Sequence, residues 1–283
     1  MKTVSETLEV SRSQQYDRKA TEGTKRGRYK PKPEDADDLP LIRQVIDRRP
    51  TYGYRRVAAI VNRLRREAGG PVINHKRMYR IMKAHGLLLT RYTGKPACSH
   101  EGTVMTRQSN ERWCSDGFEV RCDNGQRVRV AFSLDCCDRE VMSYVATTGG
   151  ISGDMVRDLM IEAIESRFDS VDNVPGPIEW LSDNGSPYTA TDTREMAHDL
   201  GLHTCTTTPY RSPESNGMAE AFVKTFKRDY VRIHEIPDAV ALMEQLPEWF
   251  EDYNENHPHS ALKMRSPREF RRLSDKLEAC PVR

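Results

Sequence analysis

Nowhere in this chain of 283 residues do apolar side chains run on for anything near the roughly eighteen positions that a bilayer-crossing helix needs. The opening MKTVSETLEVSRSQQ also lacks the apolar stretch of a secretory signal. Neither a membrane span nor an export leader is expected, and the protein reads as intracellular. There is no C-x-x-C pair, and the cysteines, Cys98, Cys114, Cys122, Cys136, Cys137, Cys205 and Cys280, are an odd seven. That argues against a disulfide framework and a zinc knuckle, and points to reduced thiols sitting mostly in strands.

Net charge is also small, at +2. The total conceals an asymmetry: residues 1–90 carry 21 Lys and Arg against 10 Asp and Glu, and the remainder carries 23 against 32. A basic amino-terminal third suits a polyanion, whereas an acidic remainder invites a bound metal rather than plain coating of nucleic acid. Ordinary solvated faces of either sign stay open as the alternative. The length, with 37% hydrophobic residues, allows one large domain plus a smaller one, or two of moderate size.

Residues 1–40 read as an arm or linker, because KRGRYKPKPEDADDLP sets charge, Gly and Pro against a continuous packed element. From 41 to 90 the spacing is helical: Val57, Ile60, Val61 and Leu64 recur at i, i+3, i+4 and i+7 until GGPVI breaks the run. Asn74 is placed to cap a second helix, HKRMYRIMKAHG. Its Met78, Ile81 and Met82 face inward, Lys76, Arg77, Arg80 and Lys83 face outward, and Gly86 is placed to end it. The pair reads as a helix-turn-helix unit, and YGYRR sets Tyr52 and Tyr54 beside Arg55 and Arg56, which suits phosphate contact and stacking. A helical hairpin with a solvated basic face is the plainer reading.

Residues 91–110 form a second linker. Beyond them RWCSDGFEVRC, RVRVAFSLDCC and VMSYVATT read as three strands, the first two joined by an Asn-Gly turn. Then follow a helix in SGDMVRDLMIEAIESRF, a strand in IEWLS, a helix at 191–200, a strand near LHTCTTT, a Pro-rich loop at 209–213 and a long helix from about 215. The order βββαβαβα implies an α/β fold, a mixed sheet with helices on its faces, over residues 111–235. Residues 236–283 are taken as a C-terminal helical extension.

IEWLS ends at Asp183, in a turn built from Asn184, Gly185, Ser186 and Pro187. If the first and fourth strands are neighbours, Asp116 and Asp183 meet at one sheet edge, where reactive groups collect in such folds. On the long helix Ala219, Phe222, Val223 and Phe226 make a buried stripe, and Glu220 flanks it with Lys224, Lys227 and Arg228. Carboxylates gathered at one point repel unless a cation neutralises them, and hard oxygen ligands favour Mg2+ or Mn2+. Two such ions would stabilise the attacking and leaving oxygens of an in-line phosphoryl displacement. Asp135 and Asp138 read instead as turn and capping residues, Trp113 as core, and His257 and His259 as packed rather than touching DNA. Asn184, Gly185, Asn216 and Gly217 either shape the approach to the acidic residues or are ordinary turn residues.

WCSDGFEV, LSDNGSPY and SPESNGMAEAFVKTFKRDY resemble the three acidic motifs of DDE transposases and retroviral integrases. Asp183 and Glu220 have 36 residues between them, and Lys227 stands seven after Glu220. TYGYRR, INHKRMYRIMKAHGL and YNENHPHSALKMRSPREF are similar to the second-frame, OrfB-type transposases of the bacterial insertion-sequence-three family, in particular its insertion-sequence-two branch. The resemblance covers about residues 45–270. It implies an RNase H-like, integrase-like catalytic core in which Asp116, Asp183 and Glu220 are the metal-binding triad, with two Mg2+ ions per site and Mn2+ able to substitute. It also implies a transposase that cleaves the ends of an insertion sequence and joins them elsewhere, using double-stranded DNA (terminal inverted repeats and target) in the bacterial cytoplasm. DNA contacts are expected from Arg55, Arg56, Lys76, Arg77, Arg80, Lys83, Lys224, Lys227 and Arg228.

By the same resemblance the partners are further copies of the chain on DNA and an upstream-frame OrfA protein, or a fusion to it. The stretch LEVSRSQQY resembles the tail of a preceding element, so the chain is expected to be equipped for catalysis but poor at finding its DNA ends. Two rivals stand beside this reading: an RNase H-fold structure-selective nuclease that hydrolyses without joining, and a non-catalytic DNA-binding regulator of transposition.

Overall fold

In a computed structural model the protein is described over residues 32–90, 106, 108–206 and 217–278. Three helices come first: α1 (Glu34–Arg48), α2 (Tyr54–Glu67) and α3 (His75–Ala84). α1 begins within the segment expected to be a linker. Pro33 occupies its N-cap, and Glu34, Asp35 and Asp37 fill its first turn, where carboxylates oppose the positive end of the helix dipole. The same Pro and acidic residues that suggested a linker are thus helix-start signals, and Ile42 and Val45 make α1 a third wall of the small core around Val57, Val61, Met78, Ile81 and Met82. Leu64 stays exposed. The α2–α3 turn is held by Asn62, whose side chain bonds the Ile73 N–H at 2.6 Å and the Ile73 carbonyl at 2.8 Å. Asn74 caps α3 by accepting the Lys76 N–H at 2.8 Å, and Gly86 ends it at φ +67°.

The larger part is built on strands β1 (Arg112–Arg121), β2 (Arg127–Asp135), β3 (Val141–Thr147), β4 (Ile178–Ser182) and β5 (Leu202–Thr206). The sheet runs β3-β2-β1-β4-β5, with β1, β2 and β3 antiparallel in succession and β1, β4 and β5 parallel. Helices α4 (Gly153–Phe168), α5 (Ser186–Thr189), α6 (Thr191–Asp199), α7 (Gly217–Asp229), α8 (Ala239–Asn256) and α9 (Pro267–Glu278) complete it. The alternation expected from the sequence is present, with the single-turn α5 added after β4.

Strand periodicity sorts the side chains onto two faces. Trp113, Ile178 and Trp180 pack with Val156, Leu159 and Ile164 of α4 and Ala197 of α6. Cys114, Phe118, Val128 and Phe132 pack with Phe222 and Phe226 of α7 and with Leu246, Trp249, Phe250 and Tyr253 of α8. The segment after 236 is therefore helical as expected, yet α8 is a layer of this core rather than an appendage to it. Among the described residues no helix is long and apolar enough to cross a membrane.

Asp135 ends β2 and Asp138 lies in the turn to β3. Asp135 accepts the N–H groups of Cys137 (2.7 Å), Asp138 (3.0 Å) and Asn110 (2.7 Å), and the Trp113 indole N–H at 3.2 Å. The nearly buried Arg167 stands 3.0 Å from both Asp138 and Glu140. Trp113, His257 and His259 are buried. The loop at 209–213, Asn216, and most of 1–40 and 91–110 lie outside the described residues.

Phe226 is fully buried, with ring centroids 4.6 Å from Phe250, 5.0 Å from Tyr230 and 5.7 Å from Phe118. Phe226→Ala should lower unfolding free energy by about 3–5 kcal/mol, measured by urea denaturation. A change below about 1 kcal/mol would mean that α7 is not anchored through this ring.

Candidate active site

Two elements of the sheet bring Asp116 and Asp183 together. β1 and β4 pair in parallel with Trp113 opposite Trp180 and Cys114 opposite Leu181, and the same offset carried two residues on sets Asp116 opposite Asp183. β4 stops at Ser182 while β1 runs on to Arg121. The turn after β4 therefore opens beside the middle of β1. Cys114, Leu181 and Phe118 all belong to the face covered by α7, so the two-residue period aims both aspartates to that side. Glu220, next to the buried Ala219 in the first turn of α7, is the third acid there.

The electrostatics agree with this convergence. Burial pushes the Asp116 carboxyl above the ordinary carboxylate range, the Gly117 N–H at 2.7 Å opposes that shift, and the charges of Asp183 and Glu220 add to it. Asp183 is exposed and accepts the Gly185 N–H at 3.0 Å. A Cβ at Gly185 would lie 2.9 Å from the Asp183 carboxylate oxygen, so glycine lets the Asp183 carboxylate keep this position, and a larger residue would push it aside. Glu220 receives Lys224 Nζ at 2.9 Å in an exposed i, i+4 pair. Among the described residues no three His, Cys, Asp or Glu side chains already stand as a metal-holding cluster.

Beneath the two aspartates lies a pair that the sequence did not foretell. The Tyr188 hydroxyl is buried 2.8 Å from the Ser115 hydroxyl. Burial raises its pKa; the bond to Ser115 opposes that, and the Asp183 and Asp116 charges reinforce it. Tyr188 is thus a neutral prop joining β1 to α5, visible in the sequence only as the last letter of LSDNGSPY.

Family comparison gives three matches: Integrase core domain over residues 106–212, a second Integrase core domain family over 202–267, and HTH-like domain over 33–96. Over 272 residues the chain is 50% identical to "Transposase InsD for insertion element IS2A/D/F/H/I/K" of Escherichia coli, covering 95% of this chain and 90% of that one. The chain belongs to the insertion-element transposase family. Its fold is similar to a chain of the simian T-cell lymphotropic virus intasome (TM-score 0.48, 16% identity, 70% of this chain and 66% of that one). It is also similar to the BIV integrase catalytic core domain (TM-score 0.42, 17% identity, 60% and 99%).

In this transposase the basic residues expected to touch DNA divide into two groups. Arg56 and Arg228 are both drawn to the buried Asp229, at 3.2 Å and 2.6 Å, and Arg77 donates to Asp35 at 2.8 Å. These three guanidinium groups serve the fold, because a buried carboxylate demands a paired cation. Lys227 lies 5.6 Å from the Phe118 ring centroid and Lys224 pairs with Glu220. Arg55, Lys76, Arg80 and Lys83 point outward from α2 and α3. Asp229 itself gave no sequence signal as a hub: it gathers Thr51, Arg56 and Arg228 and joins the three-helix unit to α7.

Two outcomes follow. Asp116 has a raised folded-state pKa, so the fold holds its proton more tightly than the unfolded chain does. The ionised group costs stability above roughly pH 4, a cost that fades as pH falls through the folded value. Asp116→Asn should therefore raise the thermal midpoint at pH 7.5 by about 2 °C without added metal, and a fall would show that the carboxylate is not strained. Gly185→Ala, which crowds the Asp183 oxygen, should reduce metal-dependent DNA processing by about 10- to 100-fold while leaving the melting curve in place; unchanged processing would show that the Asp183 orientation is immaterial.

Proposed function

We propose that this transposase cuts DNA at the ends of its element and joins the freed 3′ ends to another strand, with Asp116, Asp183 and Glu220 holding divalent metal ions. The observation that carries the reading is the parallel β1–β4 register of Trp113 with Trp180 and Cys114 with Leu181; continued by two residues, it would bring Asp183 to Asp116, on the face covered by the helix that bears Glu220. The residues suit such an ion in their chemistry: all three offer hard oxygen donors, burial together with the charges of Asp183 and Glu220 disfavours ionised Asp116, and the cation at hand, Lys224, sits in an exposed pair of little strength.

When bound, Mg2+ or Mn2+ supplies an activated water and charge stabilisation for in-line phosphoryl displacement. The chain's own residues supply placement. Asp116 presents its carboxylate from the middle of a strand, Asp183 from a turn pinned by Gly185, and Glu220 from a helix held by its aromatic stripe. Lys224 and Lys227, one and two turns beyond Glu220, are set to meet the phosphates of the scissile strand. No covalent enzyme intermediate is required: the Tyr188 hydroxyl is buried and stays protonated, and the Ser115 hydroxyl is buried against it. We assign DNA contact to the three-helix unit and catalysis to the sheet with α7. Bringing two DNA ends together calls for more than one copy on DNA, and an upstream-frame protein is the partner suited to find those ends.

The test is joining of a labelled duplex carrying the element's terminus into plasmid DNA with Mg2+ or Mn2+, comparing the native chain with Asp183→Asn. Loss of a ligand should exceed the roughly 10- to 100-fold cost of losing a group that merely orients one, so joined product should drop by more than about 100-fold. Cleavage without joining would favour the nuclease reading. DNA binding with no product in either protein would favour a regulator.

A further inference from the structure

α2 carries a second stripe besides its buried one. Arg55, Ala59, Asn62 and Arg66 recur at i, i+4, i+7 and i+11 and form one wall of a groove of about 460 Å3. The opposite wall is the chain segment at Lys263, Arg265 and Glu269 on entry to α9. That segment is a tight turn, closed by the Met264 N–H donating to the His259 carbonyl at 2.7 Å and the His259 N–H donating to the Arg265 carbonyl at 3.0 Å. Lys263 and Met264 both adopt left-handed backbone conformations, at φ +56° and +64°, each costing on the order of 1–3 kcal/mol in a non-glycine residue.

The groove holds far more positive than negative charge. Glu269 is its one acid, and Arg63 already takes that carboxylate at 3.0 Å. Arg55 lies over the Tyr54 ring. Among the described residues no carboxylate pairs with Arg55, Arg66, Lys263 or Arg265, in contrast to Arg56, Arg77 and Arg228. Residues 1–31 are themselves net basic, with eight Lys and Arg against four Asp and Glu. A polyanion from outside the chain is the occupant that fits.

We infer that this groove between α2 and the Lys263–Arg265 turn is a binding site for the phosphate backbone of double-stranded DNA. The inference rests on the proposed function for the choice of DNA as the polyanion. It adds to the contacts expected from α2, α3 and α7 a site built jointly by the three-helix unit and the C-terminal segment.

The test measures fluorescence anisotropy of a labelled DNA duplex with the full chain between about 50 and 200 mM salt. The triple variant Arg66→Gln, Lys263→Gln and Arg265→Gln changes two exposed side chains and the half-buried Arg265, none of them paired with a carboxylate among the described residues, and should fold as the native chain does, checked by circular dichroism. The expected result is at least about a tenfold loss of affinity near 150 mM salt, with the slope of log K against log salt reduced by about 2–3, or roughly 0.9 for each phosphate left without its cation. Lys76→Gln with Lys83→Gln, on the outer face of α3, should cost less. Native affinity and slope in the folded triple variant would overturn the inference, and so would a larger loss in the α3 pair. A loss confined to duplex RNA would overturn it in favour of RNA. The joining assay separates the two readings: end joining by the native chain alongside undiminished binding by the triple variant sinks the groove alone, and groove-dependent binding without joining sinks strand transfer alone.

Discussion

The parallel pairing of β1 with β4 constrains everything else in the larger unit. Strand side chains alternate, so a register that sets Cys114 beside Leu181 on the apolar face also directs Asp116 and Asp183, each two positions on, toward that face. A slip of one residue would send one aspartate to the opposite layer, among Trp113 and Trp180. The register is secured by those two indoles, whose centroids lie 6.4 Å apart, and the packing of one face thereby fixes the acidic groups of the other. α7 completes the arrangement because its buried Ala219, Phe222 and Phe226 leave Glu220 at the rim.

Charge is distributed by the same economy. The arginines that look alike in a basic third of the chain are sorted by burial of their partners. Asp229 is buried at the end of α7 and collects Arg56 from α2 and Arg228 from its own helix, while Thr51 donates to it at 2.6 Å. Close by, Tyr52 and His257 share a buried hydrogen bond of 2.9 Å, and Arg49 pairs with Asp252 of α8. The three-helix unit is thus joined to the helix bearing Glu220 through polar groups whose partners cannot be removed singly without leaving a buried charge. The three-helix unit seated on α7 in this way has its orientation set by the core.

α1 and α8 show how a segment's role depends on what it meets. Pro, Gly and charge near residue 33 suggest a linker when taken as composition, yet the same residues, taken by position, start a helix: Pro before the first turn and acids within it. α8 looks like one more amphipathic helix near the end of the chain, and only its packing against Phe222 and Phe226 reveals it as a wall of the main core.

The sequence by itself determined the order of strands and helices from β1 to α7 apart from the single-turn α5, the apolar stripes of α3 and α7, the Asn74 cap and the three acidic motifs, because each is written in a local period or a spacing along the chain. It also pointed to turn roles for Asp135 and Asp138 and to burial of Trp113, His257 and His259. What only the tertiary structure decided were matters of partnership across long stretches of chain. These include which arginines are consumed by Asp229 and Asp35, that Tyr188 props Ser115 beneath the aspartates, and that α2 faces the Lys263 turn. Such pairings join residues as many as two hundred positions apart, and their energy depends on burial, which a one-dimensional pattern does not contain.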